Sequence, residues 1–179
     1  MEGNYINMDF LELAKQRYSC RSFEEKEVEK EKIELILEAA RVAPTAVNYQ
    51  PQRVLVLTEK GELAKLSECT RYGWNAPVIM IVCYDKNVSW KRKYDGHDEG
   101  EIDASIVTTH MMFEAQSLGL GTTWIGAFDP AKVREVYKIP KNLEIVAILP
   151  IGYPAQDAEP SAMHSKRNTM EEMVYWNKI

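Results

Sequence analysis

No stretch of this chain stays apolar for long. The longest run, Val78 to Tyr84, is seven residues, against the about 20 that a bilayer-spanning helix requires. Cysteine is scarce too: Cys20, Cys69 and Cys83 form no CxxC pair and have no His or Cys neighbour at zinc-ligand spacing, which excludes a disulfide scaffold or zinc finger and suits a reducing cytoplasm. Positive charge is in deficit, with 22 Lys and Arg against 27 Asp and Glu and a formal net charge of −5. That balance argues against a protein that coats nucleic acid or anionic membrane, because such binding is driven by excess cations that release counterions. A local cationic pocket stays open. The first eight residues carry Glu2, Asn4 and Asn7 in place of a basic start and an apolar run, so no secretory signal is expected and the expected location is cytoplasmic. There is no GK[ST] phosphate loop and no HExxH metal helix.

What is present is enough for a core. The 179 residues are 45% hydrophobic and 9% aromatic, and at about 150 residues per domain they predict one domain that folds without staples. Met8 to Tyr18 places Phe10, Leu11, Ala14 and Tyr18 at helical spacing. Ser19 to Phe23 lacks that period and reads as extended chain. Residues 24–34 hold six Glu and three Lys around Val28 and Ile33, read as the solvated face of a helix that continues through Ile36, Leu37 and Ala40 until Pro44 stops it. Arg53 to Thr58 and Val78 to Tyr84 read as strands buried on both faces, with a helix from Gly61 to Thr70 between them. A long helix is predicted from about Ile102 to Leu118, with Ile102, Ile106, Thr109, Met112, Phe113 and Gln116 tracking one broad face, ending at Gly119 and Gly121. Strands are predicted at Thr122–Ala127 and Leu143–Gly152, separated by a helix from Pro130 to Tyr137 capped by Asp129. Helices on both faces of one sheet is the expected architecture. Residues 153–179 form a tail whose Met170, Met173, Val174 and Trp176 suggest docking on another subunit.

Three segments have the residue types for chemistry. Arg17, Ser19 and Arg21 fall at alternate positions with no acid between Gln16 and Phe23, so in extended chain they could converge on one anion, two planar guanidinium forks and a hydroxyl matching a phosphate. The plainer reading is a soluble surface with cations at a helix C-terminus. Ala43 to Pro51 joins a helix to a strand through two prolines, small residues and the amides of Asn48 and Gln50. An amide offers donor and acceptor together, as the imide edge of a flavin requires, although the same residues are ordinary loop punctuation. Gly119 to Phe128 has its glycines after a helix and before a strand, the reverse of a dinucleotide fingerprint; Gly126 could admit close backbone approach to a ligand.

RYSCRSF (Arg17 to Phe23), APTAVNYQP (Ala43 to Pro51), GLGTTWIGAF (Gly119 to Phe128) and SKRNTMEEMV (Ser165 to Val174) occur in an order and spacing that resembles the FMN-dependent nitroreductase family of small flavin oxidoreductases. The resemblance implies an α+β fold with a central, mostly antiparallel sheet flanked by helices. It further implies one domain over residues 1–179 and a homodimer with two FMN molecules at the subunit interface, the arm 153–179 being exchanged with the partner subunit. Carried over position by position, it puts the phosphate and ribityl contacts on Arg17, Ser19 and Arg167, with Tyr18 contributing backbone and Arg21 serving the phosphate or the pyrimidine edge of the ring. Pro44, Thr45, Ala46, Asn48 and Gln50 would line the ring, some from the other subunit, and backbone at Trp124, Ile125 and Gly126 would face its edge and N5. Many relatives carry Trp after the QP pair where this chain has Gln52, and the chain is short for the family.

The implied activity is electron transfer from NADH or NADPH through flavin N5 to a small organic acceptor, such as a nitroaromatic or quinone, in a ping-pong sequence that needs no protein nucleophile. Tyr72, Trp74, Trp90, Tyr94 and Phe128 are candidates for the substrate pocket, though each is equally a packing residue. Trp90 to Glu101 swings from cations to acids around two glycines and suggests a mobile loop over the site. Two other classes remain: a flavin-binding sensor or storage protein without turnover, and a metal-dependent hydrolase using His97, Asp98, Asp103 and His110.

Overall fold

The computed structural model describes residues 9–179. Ten regular elements follow one another: α1 (Phe10–Gln16), α2 (Lys30–Val42), β1 (Gln52–Leu57), α3 (Lys60–Ala64), β2 (Val78–Asp85), α4 (Gly100–Ser117), β3 (Gly121–Thr122), α5 (Pro130–Val136), β4 (Leu143–Gly152) and α6 (Met170–Met173). The strands form one antiparallel sheet in the order β1-β2-β4-β3. The expected Met8 start of the first helix lies outside the described residues.

Alternation along the two central strands explains why the molecule has three layers. Side chains of successive strand residues point to opposite faces. Val78, Met80 and Val82 of β2, with Ala147, Leu149 and Ile151 of β4, join a core against α2 and α4. Ile79, Ile81 and Cys83, with Ile148, join a second core that contains Leu66 and Val133. Both strands are therefore apolar throughout their centres, and helices lie on both faces of the sheet as the sequence predicts.

Local punctuation also behaves as expected. Asp129 accepts from the backbone N–H groups of Ala131 and Lys132 at 2.9 and 3.1 Å, capping α5 behind Pro130. At the end of α4, Gly119 has φ +76°, its N–H bonds to Gln116 O, and Leu120 N–H bonds to Ala115 O. These two bonds close the helix in the manner that a left-handed glycine permits.

Four expectations are corrected. β1 is not buried on both faces: it is an edge strand whose Arg53 and Leu55 side is exposed, because nothing among the described residues covers it. The strand predicted over residues 122–127 is only Gly121–Thr122, followed by a single bridge between Ile125 and Ile148. Gly121 is not a helix cap. A Cβ there would lie 2.7 Å from that of Cys20, so it is the place where residues 19–20 press against β3. The acidic run is helical only from Lys30; Glu24 instead bonds to Tyr153 O at 2.9 Å. α4 buries Asp103, Ala104, Val107, Thr108, Met111, Met112 and Ala115. Of the face that the spacing lines up, Met112 alone is covered, while Ile102 is 47% exposed and Ile106 and Phe113 are only half-covered. The helix is apolar nearly all round, so its period could not say which side meets the sheet.

The tail divides. Residues 153–164 fold back on their own chain: Ala155 N–H bonds to Ser22 O, Tyr18 Oη donates to Ala158 O at 3.3 Å, and a His164 ring nitrogen lies 3.1 Å from Lys15 O. Farther on, Met170, Met173 and Trp176 are exposed. No described helix is long and apolar enough to cross a membrane.

Candidate functional site

At the C-terminal end of α4, β3 holds the arginine segment in place. Ser19 bridges Thr122, Cys20 N–H bonds to Thr122 O at 2.9 Å, and Thr122 and Thr123 are buried beneath. Arg17 ends α1 and is half-buried. Burial, then the positive charge of Arg167, lowers the pKa of its guanidinium from the ordinary value. The structure thus brings Arg17 and Arg167 close enough to oppose one another, although 150 positions separate them in sequence. Neither residue, nor Arg21, has an acidic partner among the described residues, whereas Arg41, Arg53, Arg92 and Arg134 all do. Arg21 donates to Ser19 O at 3.2 Å, and Arg167 donates to Lys166 O at 2.8 Å and to His164 O. Tyr18 is set by its hydroxyl bond to the tail. Cations without acidic partners, one of them half-buried within the field of another, are an arrangement that an anion relieves.

The following turn, Thr123 to Phe128, starts from the same place. Trp124 packs on the first core, and Ile125 is buried in the second while its backbone exchanges two hydrogen bonds with Ile148 at 2.9 and 3.2 Å. Both polar groups of the Ile125 main chain are thereby taken by the sheet. Gly126 is exposed and a Cβ there would meet nothing within 4 Å.

Pro44, Thr45, Ala46, Asn48 and Gln50 sit at the other end of α4. Val47, Asn48 and Gln50 have φ of 53°, 55° and 52°, the left-handed region that costs a non-glycine residue about 1–3 kcal/mol and is least natural for β-branched Val47. Four bonds fix the loop internally: Asn48 N–H to Thr45 O at 2.9 Å, Tyr49 N–H to Ala46 O at 3.1 Å, Gln50 N–H to Thr45 Oγ1 at 3.1 Å and Gln50 Nε2 to Asn48 O at 3.4 Å. A fifth ties it to the helix, where Asp103 Oδ1 accepts from Ala46 N–H at 2.8 Å. Counting at 1.5 Å per residue from Asp103 to Ser117, the two groups stand about 20 Å apart along α4.

Residues 14–72 and 71–153 match the model of the Nitroreductase family. The chain belongs to the nitroreductase family. The fold agrees: a nitroreductase family protein from Clostridium difficile 630 superposes with a TM-score of 0.90 at 44% identity, over 96% of this chain and 100% of the other. The chain is 32% identical to an FMN reductase [NAD(P)H] of Bacillus subtilis over 89% of its own length and 72% of the relative's. It is also similar to a Desulfovibrio desulfuricans protein solved in complex with FMN, with a TM-score of 0.79 at 27% identity, covering 97% of this chain and 99% of that one.

Within this nitroreductase fold, the candidate pocket aromatics fall into two sets. Tyr72, Trp74 and Phe128 pack together against the second core, the rings of Tyr72 and Trp74 5.5 Å apart. Trp74 and Asn75 have φ of 47° and 54° and border a cavity of about 780 Å³ that Arg71 also lines. Trp90 and Tyr94 belong to the segment before α4, and Tyr94 is 98% exposed. That segment is a hairpin closed on itself, with Arg92 N–H bonded to His97 O, Glu99 N–H to Trp90 O, and ion pairs of Lys91 with Asp98 at 2.8 Å and Arg92 with Asp95 at 2.7 Å. The swing of charge read from the sequence is thus internal pairing.

The hydrolase alternative is corrected. Among the described residues no group of His, Cys, Asp or Glu is arranged to hold a metal. Asp103 is committed to Ala46, Asp98 to Lys91, and His110 Nδ1 to Ile106 O at 2.8 Å. Asp103 is the buried polar residue whose partner sequence reasoning missed. The signal was there: it shares the apolar side of α4 with Ala104, Val107 and Met111, and a carboxylate at such a position requires a buried donor.

Proposed function

We propose that this chain is an NAD(P)H-dependent FMN oxidoreductase acting as a homodimer, each cofactor held between the arginine end of one copy and the Pro44–Gln50 loop of the other. One observation carries the reading: Arg17 is half-buried, the positive charge of Arg167 adds to that burial in lowering its pKa, and neither arginine has an acidic partner among the described residues, with Ser19 two positions from Arg17. A phosphate monoester fits that surplus. The B. subtilis and D. desulfuricans proteins, named for FMN or solved with it, support the choice of flavin. The chemistry that FMN supplies when bound is acceptance of hydride at N5 from NADH or NADPH and its return to a small organic acceptor, the first substrate leaving before the second arrives.

The chain's own part is to bind and orient. Arg17, Ser19 and Arg167 grip the phosphate, Tyr18 presents backbone, and Arg21 adds positive charge that favours an anionic reduced ring. The backbone of Trp124, Ile125 and Gly126 flanks the ring edge. Pro44, Thr45, Ala46, Asn48 and Gln50 form a wall for the ring, and Tyr72, Trp74 and Phe128, with Trp90 and Tyr94 from the hairpin, bound the acceptor's space. In one chain the grip and the wall lie at opposite ends of α4, and a second copy is what unites them. The apolar stripe Ile102, Ile106 and Phe113, the exposed Phe10 and Leu11, and the tail beyond Thr169 are what that copy covers.

The purified protein is expected to be yellow and to release FMN. Anaerobic NADH or NADPH should bleach the flavin band, and a nitroaromatic or quinone should restore it. A colourless protein that takes up no added FMN would remove the reading, and a flavin that no donor reduces would leave a binding protein without turnover.

A further inference from the structure

Asp103 is 2% exposed, yet it belongs to no ion pair among the described residues. One carboxylate oxygen, Oδ1, accepts from Ala46 N–H at 2.8 Å; the other, Oδ2, is buried and without a hydrogen-bond partner among the described residues. Burying a carboxylate for a single backbone bond is costly, and a fold retains such a group where the bond holds something that would otherwise relax. Ala46 opens a loop with that tendency, because three of the next four residues adopt left-handed φ, and of these Val47 and Gln50 do not favour it unaided.

We propose that Asp103 is a positioning residue of the nitroreductase site: by anchoring Ala46 N–H it holds residues 45–50 in their strained backbone and so presets the wall that meets the flavin ring. This rests on the flavin reading above and adds the residue that maintains the wall. Asp103 acts through the loop and takes no part in the electron transfer. Its effect is on the ring, so it applies to riboflavin and FMN alike, unlike a residue that holds phosphate.

The test uses the full-length dimer and two probes, FMN and riboflavin, with dissociation constants read by quenching of flavin fluorescence. Asp103→Ala is expected to weaken both flavins by about tenfold, as the loss of one charge-assisted hydrogen bond implies. It should also accelerate hydrogen exchange at Ala46–Asn48. Asp103→Asn, whose amide oxygen still accepts from Ala46, should restore both readouts, which a general loss of packing would not predict. Ala46→Pro removes the donor from the opposite side. Ala46 is the first residue of its turn, where proline is accommodated, and Thr45 already has the extended backbone (φ −133°, ψ 158°) that proline requires before it. It should reproduce the loss without adding to that of Asp103→Ala, and it decides the matter should Asp103→Ala fold poorly. Unchanged flavin affinity in Asp103→Ala or Ala46→Pro, or additive losses in the double variant, would overturn the proposal. Failure of the wild-type protein to bind either flavin would overturn the flavin reading and this inference together, and it is seen before any variant is made.

Discussion

The two ends of α4 are built on opposite plans. At its C-terminal end, cations are in surplus: Arg17, Arg21 and Arg167 have no acidic partner among the described residues, and the charge of Arg167 adds to burial in lowering the pKa of Arg17. At its N-terminal end the backbone is strained instead, with Val47, Asn48 and Gln50 held left-handed by bonds to Thr45 and Asp103. In the proposed shared site an anion completes the first end and the second offers a surface for the ring. On that proposal the contrast teaches where affinity and orientation reside: a charge surplus grips, and a preset backbone shapes. The about 20 Å of rigid helix between them is why the proposal assigns the two tasks to different copies.

Breaking the pairing of copies should have the largest effect. Ile102→Glu puts a charge on a residue that is exposed in the single chain, so the fold should survive. In a dimer that covers it, an unpaired buried charge costs on the order of 3–5 kcal/mol. Sedimentation should show a monomer that retains no FMN; a flavin-loaded monomer would break the comparison outright.

Next comes the grip. Arg17→Ala should weaken FMN by about 2–3 kcal/mol through the loss of a partly desolvated charge-assisted contact while leaving riboflavin binding nearly unaltered. Equal losses for the two flavins would mean that Arg17 does not meet the phosphate.

A pH series sharpens the other end. Burial, and then the charges of Glu99 and Asp98, hold the Asp103 carboxyl above the ordinary carboxylate range, against the lowering effect of the Ala46 hydrogen bond. A folded-state pKa raised above the unfolded one means that the folded chain binds the proton more tightly than the unfolded chain does. The stabilisation is complete below the unfolded value and disappears as pH rises through the folded one. Asp103→Asn removes this dependence, so its melting temperature relative to wild type should climb from about pH 4 upward. A difference that is flat in pH would contradict the burial of a titrating carboxyl. The smallest effect is expected from Val47→Gly, which relieves left-handed strain and should raise stability by about 1 kcal/mol at some cost in flavin affinity.

Much of this was legible because it is local. Pro44 and Gly119 stop helices by backbone geometry alone, and Asp129 caps by its own side chain. What was not legible depends on partners distant in sequence. The buried side of α4 was not legible because Ile102, Ile106 and Phe113 are as apolar as Ala104, Val107 and Met111, and only the sheet decides between them. Cys20 packs beside Gly121, a contact no window of sequence contains. Asp103 was read as a metal ligand; its partner is a backbone N–H 57 positions away, which carries no side-chain signature at all. The tail was read as one arm, yet Tyr153 to His164 is held by Tyr18, Ser22 and Lys15, and the free apolar part starts only near Met170.

Mixed dimers ask most directly whether the cofactor site is shared between copies. Chains carrying Arg17→Ala and chains carrying Asn48→Ala, distinguished by separate affinity tags, are combined and the heterodimer is titrated with FMN. The shared-site account predicts that one full-affinity site per heterodimer returns, since both defects fall on the same site and the other is intact. A heterodimer with two weakened sites and none restored would place grip and wall in the same chain and contradict it.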